Sequence, residues 1–141
     1  MSDPVEFAYT DFPVKTSPSS RLRLISRPIV PITILYRERF VQYQALLDTG
    51  ADYNVFHADI ADYLGINVTK GHVVKISGIA GTSIKGYKHN VILKLASRSA
   101  DTEIVFSRHI PDHAIAVLGN QGFFNHFSVT FNYKSRTITI R

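Results

Sequence analysis

The strongest constraint on this chain is a repeated one. Short runs of β-branched and aromatic residues recur along it, each ended by a turn former before it can lengthen. The runs at 29–36, 40–47, 72–76, 91–95, 102–106, 114–119, 128–131 and 137–140 all have this character. Such side chains fit a pleated, half-buried surface. Many short strands with few helices predict an all-β fold, closed into a barrel or stacked as a sandwich. Pro31 has no N–H to give a neighbouring strand, so the run around it is expected at an edge or a bulge. Residues 37–39 read as a turn. Phe56, Ile60 and Leu64 recur every fourth residue, which predicts a helix over 56–64 closed by Gly65. A second short helix is expected over 120–126, with Phe123 and Phe127 on one side. Residues 77–81, with two glycines, read as a mobile hairpin tip.

With 141 residues the chain is one domain by size. Hydrophobic residues make up 45% and charged residues 19%, a globular balance. Residues 1–26 carry Pro4, Pro13, Pro18 and a Ser/Thr-rich stretch that interrupts regular patterning. They are expected to be an N-terminal extension or arm, flexible or processed, with the folded domain at 27–141. No cysteine is present, so thiolate metal sites and disulfides are excluded. The formal charge is +5, but the basic residues are scattered, and no nucleic-acid partner is expected. No apolar run approaches a membrane span. The N-terminus lacks the basic-then-apolar order of a secretory signal, which favours the cytoplasm.

The chemistry concentrates at Ala45-Leu46-Leu47-Asp48-Thr49-Gly50-Ala51-Asp52. An acid stands where an apolar strand stops, followed by a hydroxyl residue and by a glycine that admits close backbone approach. The tripeptide alone is common. Its setting is not: Arg27-Pro28 leads into an apolar strand, Ile76-Ser77-Gly78-Ile79-Ala80-Gly81 follows downstream, and Val117-Leu118-Gly119 comes later still. In this order the four segments, spread over 27–131, resemble the retropepsin family of single-domain aspartic proteases.

The resemblance implies an acid-protease barrel with a flap hairpin, one or two short helices, and function as a homodimer. Amide hydrolysis in such a site uses two carboxylates sharing one proton, since like charges this close do not both ionise. Only one Asp-Thr-Gly occurs here, so the second carboxylate is expected from a twofold-related copy. By position, Asp48 is the catalytic acid or base. Thr49 bonds across the dimer axis, and Gly50 accepts a hydrogen bond from the substrate backbone. Ala51 and Asp52 line the cleft; Ser77, Gly78 and Ile79 close over the polypeptide substrate; Val55, Ile115 and Val117 form apolar pockets. No metal or cofactor is required. Ala51 has no hydroxyl to donate to the carboxylate, so the working pH is expected nearer mild acidity or neutrality than strong acid. One position departs from the family: Asn120 stands where an arginine usually pairs with the acid at Asp52. Arg27 is the expected substitute cation, and dimer strength is the property this places in question.

Other groups have plainer readings. His109 and His113 stand four apart, but Pro111 between them argues against a helical metal site. Asp59 and Asp62 read as a solvated helix face, and Phe123, Phe124, Phe127 and Phe131 as core. Two rival functions stay open on the residues: a catalytically silent peptide-binding or dimerisation module of the same fold, and a basic β-barrel that binds nucleic acid.

Overall fold

The structure is a computed structural model that describes residues 3–15, 17–111 and 114–141. Twelve strands and one α-helix follow one another along these residues. They are β1 (Val5–Ala8), β2 (Thr10–Val14), β3 (Arg23–Arg27), β4 (Ile29–Tyr36), β5 (Arg39–Leu47), β6 (Val55–His57), α1 (Ala58–Leu64), β7 (His72–Ser77), β8 (Ser83–Leu95), β9 (Arg98–Ser107), β10 (Ala116–Leu118), β11 (Val129–Asn132) and β12 (Thr137–Ile140). A single 3-10 turn at Val68–Lys70 joins α1 to β7.

Seven strands form one sheet in the order β4-β5-β10-β6-β9-β8-β7, and β4 also pairs with β8. That extra pairing closes the sheet on itself. The all-β expectation therefore resolves to the barrel, with β7 outside the closure as the first arm of the flap. Pro31 pairs only with Gln44 of β5, because the contact of β4 with β8 is confined to residues 33–35. The missing N–H thus falls where β4 has a neighbour on one side only. Alternation places Val30, Ile32 and Ile34 of β4 and Val91, Leu93 and Leu95 of β8 in the interior. Phe56, Phe106 and Phe123 are the largest side chains wholly enclosed. Each such residue contributes about 1.5–3 kcal/mol of burial.

Three local expectations need correction. The helix begins at Ala58 rather than Phe56, because β6 comes first: Phe56 pairs with Phe106 of β9 and is buried completely. The C-terminal end is as expected, with Gly65 left-handed at φ 78° and its N–H returned to Ala61 and Asp62 carbonyls. Residues 120–126 wind through turns and not a helix. Gly122 at φ 129° breaks the repeat, although Phe123 and Phe127 still stack with centroids 4.9 Å apart. The N-terminal segment, expected to be an extension or arm, carries three strands. β1 pairs with β12 in a separate sheet of order β1-β12-β11, and β2 pairs with β3 alone. Phe131 is 37% exposed, so it lies at the margin of the aromatic cluster and not within it. Among the described residues, no helix is long and apolar enough to cross a membrane.

Candidate active site

Two strands distant in sequence set the position of Asp48. β10 lies parallel to β5, pairing Ala116, Val117 and Leu118 with Ala45, Leu46 and Leu47. On its other side, Val117 pairs with Val55 of β6. The Asp48 N–H donates to the Leu118 carbonyl at 3.0 Å, and the Leu47 N–H to the Pro28 carbonyl at 2.9 Å. The acid therefore emerges from the barrel at a point fixed from both sides.

Beyond Asp48 the chain folds back on itself. Gly50 N–H donates to Asp48 Oδ1 at 2.9 Å, and Ala51 N–H to the Asp48 carbonyl at 3.1 Å. The other carboxylate oxygen, Oδ2, has no hydrogen bond among the described residues. Asp48 is half-buried, while Thr49 and Gly50 are exposed. Thr49 uses its carbonyl to accept from Asn120 Nδ2 at 3.0 Å, and its hydroxyl has no partner among the described residues.

The second half of the loop is laced to residues 119–121. Asn120 N–H donates to the Ala51 carbonyl at 2.9 Å and Gln121 N–H to that of Asp52 at 2.8 Å. Asn54 secures the arrangement and is the residue that sequence reasoning missed. It is fully buried; its Oδ1 accepts from Gly119 N–H at 3.0 Å, and its Nδ2 donates to the Glu103 carbonyl at 3.1 Å. A buried amide with both ends paired is stable, whereas one left unpaired would cost several times as much as the bond itself gains. The only signal in the sequence was a polar residue between Tyr53 and Val55 in an apolar stretch.

The remaining expected residues divide into two groups. Ala51, Val55, Ile115 and Val117 are half-buried beside the loop, and Asp52 is exposed next to them. Ser77, Gly78 and Ile79 sit at the far end of the β7–β8 hairpin. There the tip is closed by Gly78 N–H to the Thr82 carbonyl at 3.0 Å and Gly81 N–H to Gly78 at 3.1 Å. Ile79 is completely exposed and packs on nothing in its own chain. A hollow of about 660 Å³ lined by Tyr53, Lys88, Glu103 and His126 contains neither Asp48 nor the flap tip.

Within a single chain Asn120 Nδ2 reaches the Thr49 carbonyl, and the Arg27 guanidinium lies over the Phe12 ring at 5.7 Å. Asp62 is bound by both guanidinium nitrogens of Arg108 at 2.9 Å, which holds its carboxyl below the usual carboxylate range. Among the described residues no three His, Cys, Asp or Glu side chains gather as a metal site. His113 of the sequence pair lies outside the described residues, and His109 is exposed.

A family model described as aspartyl protease matches residues 31–117. Two solved structures share the fold. EIAV protease complexed with the inhibitor HBY-793 superposes with a TM-score of 0.50 at 22% identity, covering 76% of this chain and 88% of the other. A retropepsin-like aspartic protease from Rickettsia conorii superposes with a TM-score of 0.61 at 13% identity, covering 99% of each chain. Comparison with curated proteins finds no match.

Proposed function

Because this chain belongs to the aspartyl protease family, with a retropepsin-like fold, we propose that it is an endopeptidase whose active site forms when two copies bring Asp48 face to face. The single observation that carries this reading is the state of the Asp48 carboxylate. One oxygen is steadied by Gly50 N–H, and the other has no hydrogen bond among the described residues. That leaves Oδ2 available to share a proton with a second carboxylate and to address a water.

In this reading one Asp48 takes a proton from the water as it attacks the peptide carbonyl, and the other gives its proton to the carbonyl oxygen. The proton taken from the water then passes to the leaving amine as the C–N bond breaks, and a hydroxyl of the diol returns a proton to the other Asp48 as the new carboxyl group forms. Thr49, with its unpaired hydroxyl, bonds across the twofold axis. The substrate lies extended between the cleft and the two flaps. The Gly50 carbonyl, Ala51, Asp52, Gly78 and Ile79 meet its backbone, while Val55, Ile115 and Val117 receive alternate side chains. Flap closure excludes water from the reacting bond.

The test is cleavage of a mixed peptide library by the purified chain and by Asp48→Asn. The wild type is expected to cleave, and the variant to lose on the order of 10³-fold or more in kcat/KM while keeping its fold. A catalytically silent peptide binder of the same fold would retain peptides without cutting them in either form, and that result would replace this reading.

A further inference from the structure

The β2–β3 hairpin stands as a sheet of its own. Its five cross-strand pairs run from Thr10↔Arg27 to Val14↔Arg23, and no third strand joins them among the described residues. A two-stranded ribbon is at best marginally stable alone in water. This one also displays large apolar side chains, with Leu22 exposed by 64% and Leu24 by 71%. Exposed leucines on an otherwise unsupported ribbon signal a surface that is covered in the working molecule.

Its attachment indicates what covers it. At one root, Tyr9 N–H donates to the Arg136 carbonyl at 2.9 Å, tying the hairpin to the β1-β12-β11 sheet. At the other, β3 runs through Pro28, whose carbonyl holds Leu47 N–H at 2.9 Å, immediately before Asp48. The hairpin therefore leaves the body beside the point where, under the proposed function, a second Asp48 must arrive. Five paired residues extend for about 17 Å at ~3.3 Å each. That is long enough to leave one protomer and lie on the next.

Area points the same way. A lasting twofold contact covers about 800 Å² on each partner. The exposed residues at the loop tip, Thr49 and Gly50, are far too few to provide it. The hairpin is the neighbouring element with apolar surface to spare.

We propose that the β2–β3 hairpin is a clasp whose Leu22 and Leu24 dock on a second copy of this chain, each copy gripping the other. The proposal rests on the reading that two Asp48 residues form one site. By symmetry the same patch is used twice, so one substitution weakens the contact at two places.

The test compares the full chain with the double variant Leu22→Asp/Leu24→Asp by sedimentation equilibrium, with peptide cleavage followed across protein concentration. Both leucines are exposed, so circular dichroism of the variant is expected to match the wild type. Leu22→Met/Leu24→Met serves as the conservative form. The Asp variant should raise the dimer dissociation constant at least about ten-fold, and its specific activity should recover at high protein concentration. The Met variant should behave as wild type. A dimer constant unchanged in the Asp variant would overturn the clasp and leave the active-site reading standing. A wild type that stays monomeric at every concentration would overturn the reading beneath it. Activity that rises in the Asp variant would mean the hairpin covers its own cleft and would also overturn the clasp. So would flotation with phosphatidylserine vesicles that is lost in the variant while dimerisation is unchanged.

Discussion

A β-carbon built on Gly119 would sit 2.5 Å from the Tyr53 carbonyl oxygen and 2.6 Å from that of Ala51, whereas one built on Gly78 would meet nothing within 4 Å. The two glycines belong to the two loops that meet across the proposed substrate, and they do different work. Near the acid, glycine is needed because backbone passes against backbone, and the loop is a knot of hydrogen bonds with no room to adjust. In the flap, glycine supplies conformation: Gly81 is left-handed at φ 77° in open space. Under the proposed function, the first loop would keep a carboxylate aimed and the second would close over the substrate. An active site on this fold combines a fixed floor with a movable roof.

Four substitutions sharpen or break that contrast, in falling order of effect. Gly119→Ala forces the two loop segments apart and is expected to destabilise the chain by about 3 kcal/mol, the upper range for overpacking. Urea unfolding measures it, and a loss below experimental error would mean the floor is softer than the geometry implies. Asn54→Ala leaves the Gly119 N–H and the Glu103 carbonyl unpaired in the interior, at a cost of about 2 kcal/mol by the same measurement. In the flap, Gly81→Ala strains a left-handed residue by about 1 kcal/mol and should slow turnover through the closing step. Gly78→Ala at the same tip should stay within about 0.5 kcal/mol of wild type. If the two flap variants behaved alike, the assignment of conformation and not space to that loop would fail.

A further small effect lies outside both loops. Asp62→Asn removes the pairing of α1 with Arg108, two half-exposed side chains whose attraction is screened by solvent, so it should cost less than about 1 kcal/mol at pH 7. Arg108 lowers the Asp62 pKa in the folded state, so the contribution is present above the unfolded carboxylate range. It is lost as pH falls through the folded value. Thermal melts of wild type and variant should therefore differ at neutral pH and converge in acid.

Much of the barrel was legible because its strands are self-consistent: 29–36 and 137–140 begin and end where β-branched content does. Local rhythm misled where tertiary packing decided. Phe56, Ile60 and Leu64 satisfy helical spacing, yet Phe56 pairs with Phe106 of β9 while its neighbour Val55 pairs with β10, and a strand wins. In the turns after Gly119 the aromatics keep helical spacing while Gly122 prevents the helix. Val5, Phe7, Phe12 and Val14 do alternate, but prolines obscured the period, and only β12, remote in sequence, gives β1 its partner. Asp48, Thr49 and Gly50 stood out because a strand-end acid with small neighbours is visible locally. Asn54 was hidden because its partners, Gly119 and Glu103, are brought to it only by folding.

The bond from Asp48 N–H to Leu118 has a consequence for synthesis. Contacts between remote segments form late, since the intervening loop must close before they are rewarded. As the chain leaves the ribosome, the acid emerges long before the strand it leans against. A nascent copy therefore carries its acid unaimed until residues 116–120 have emerged and docked; under the proposed function, it has no site with which to cut its own unfinished chain in the meantime.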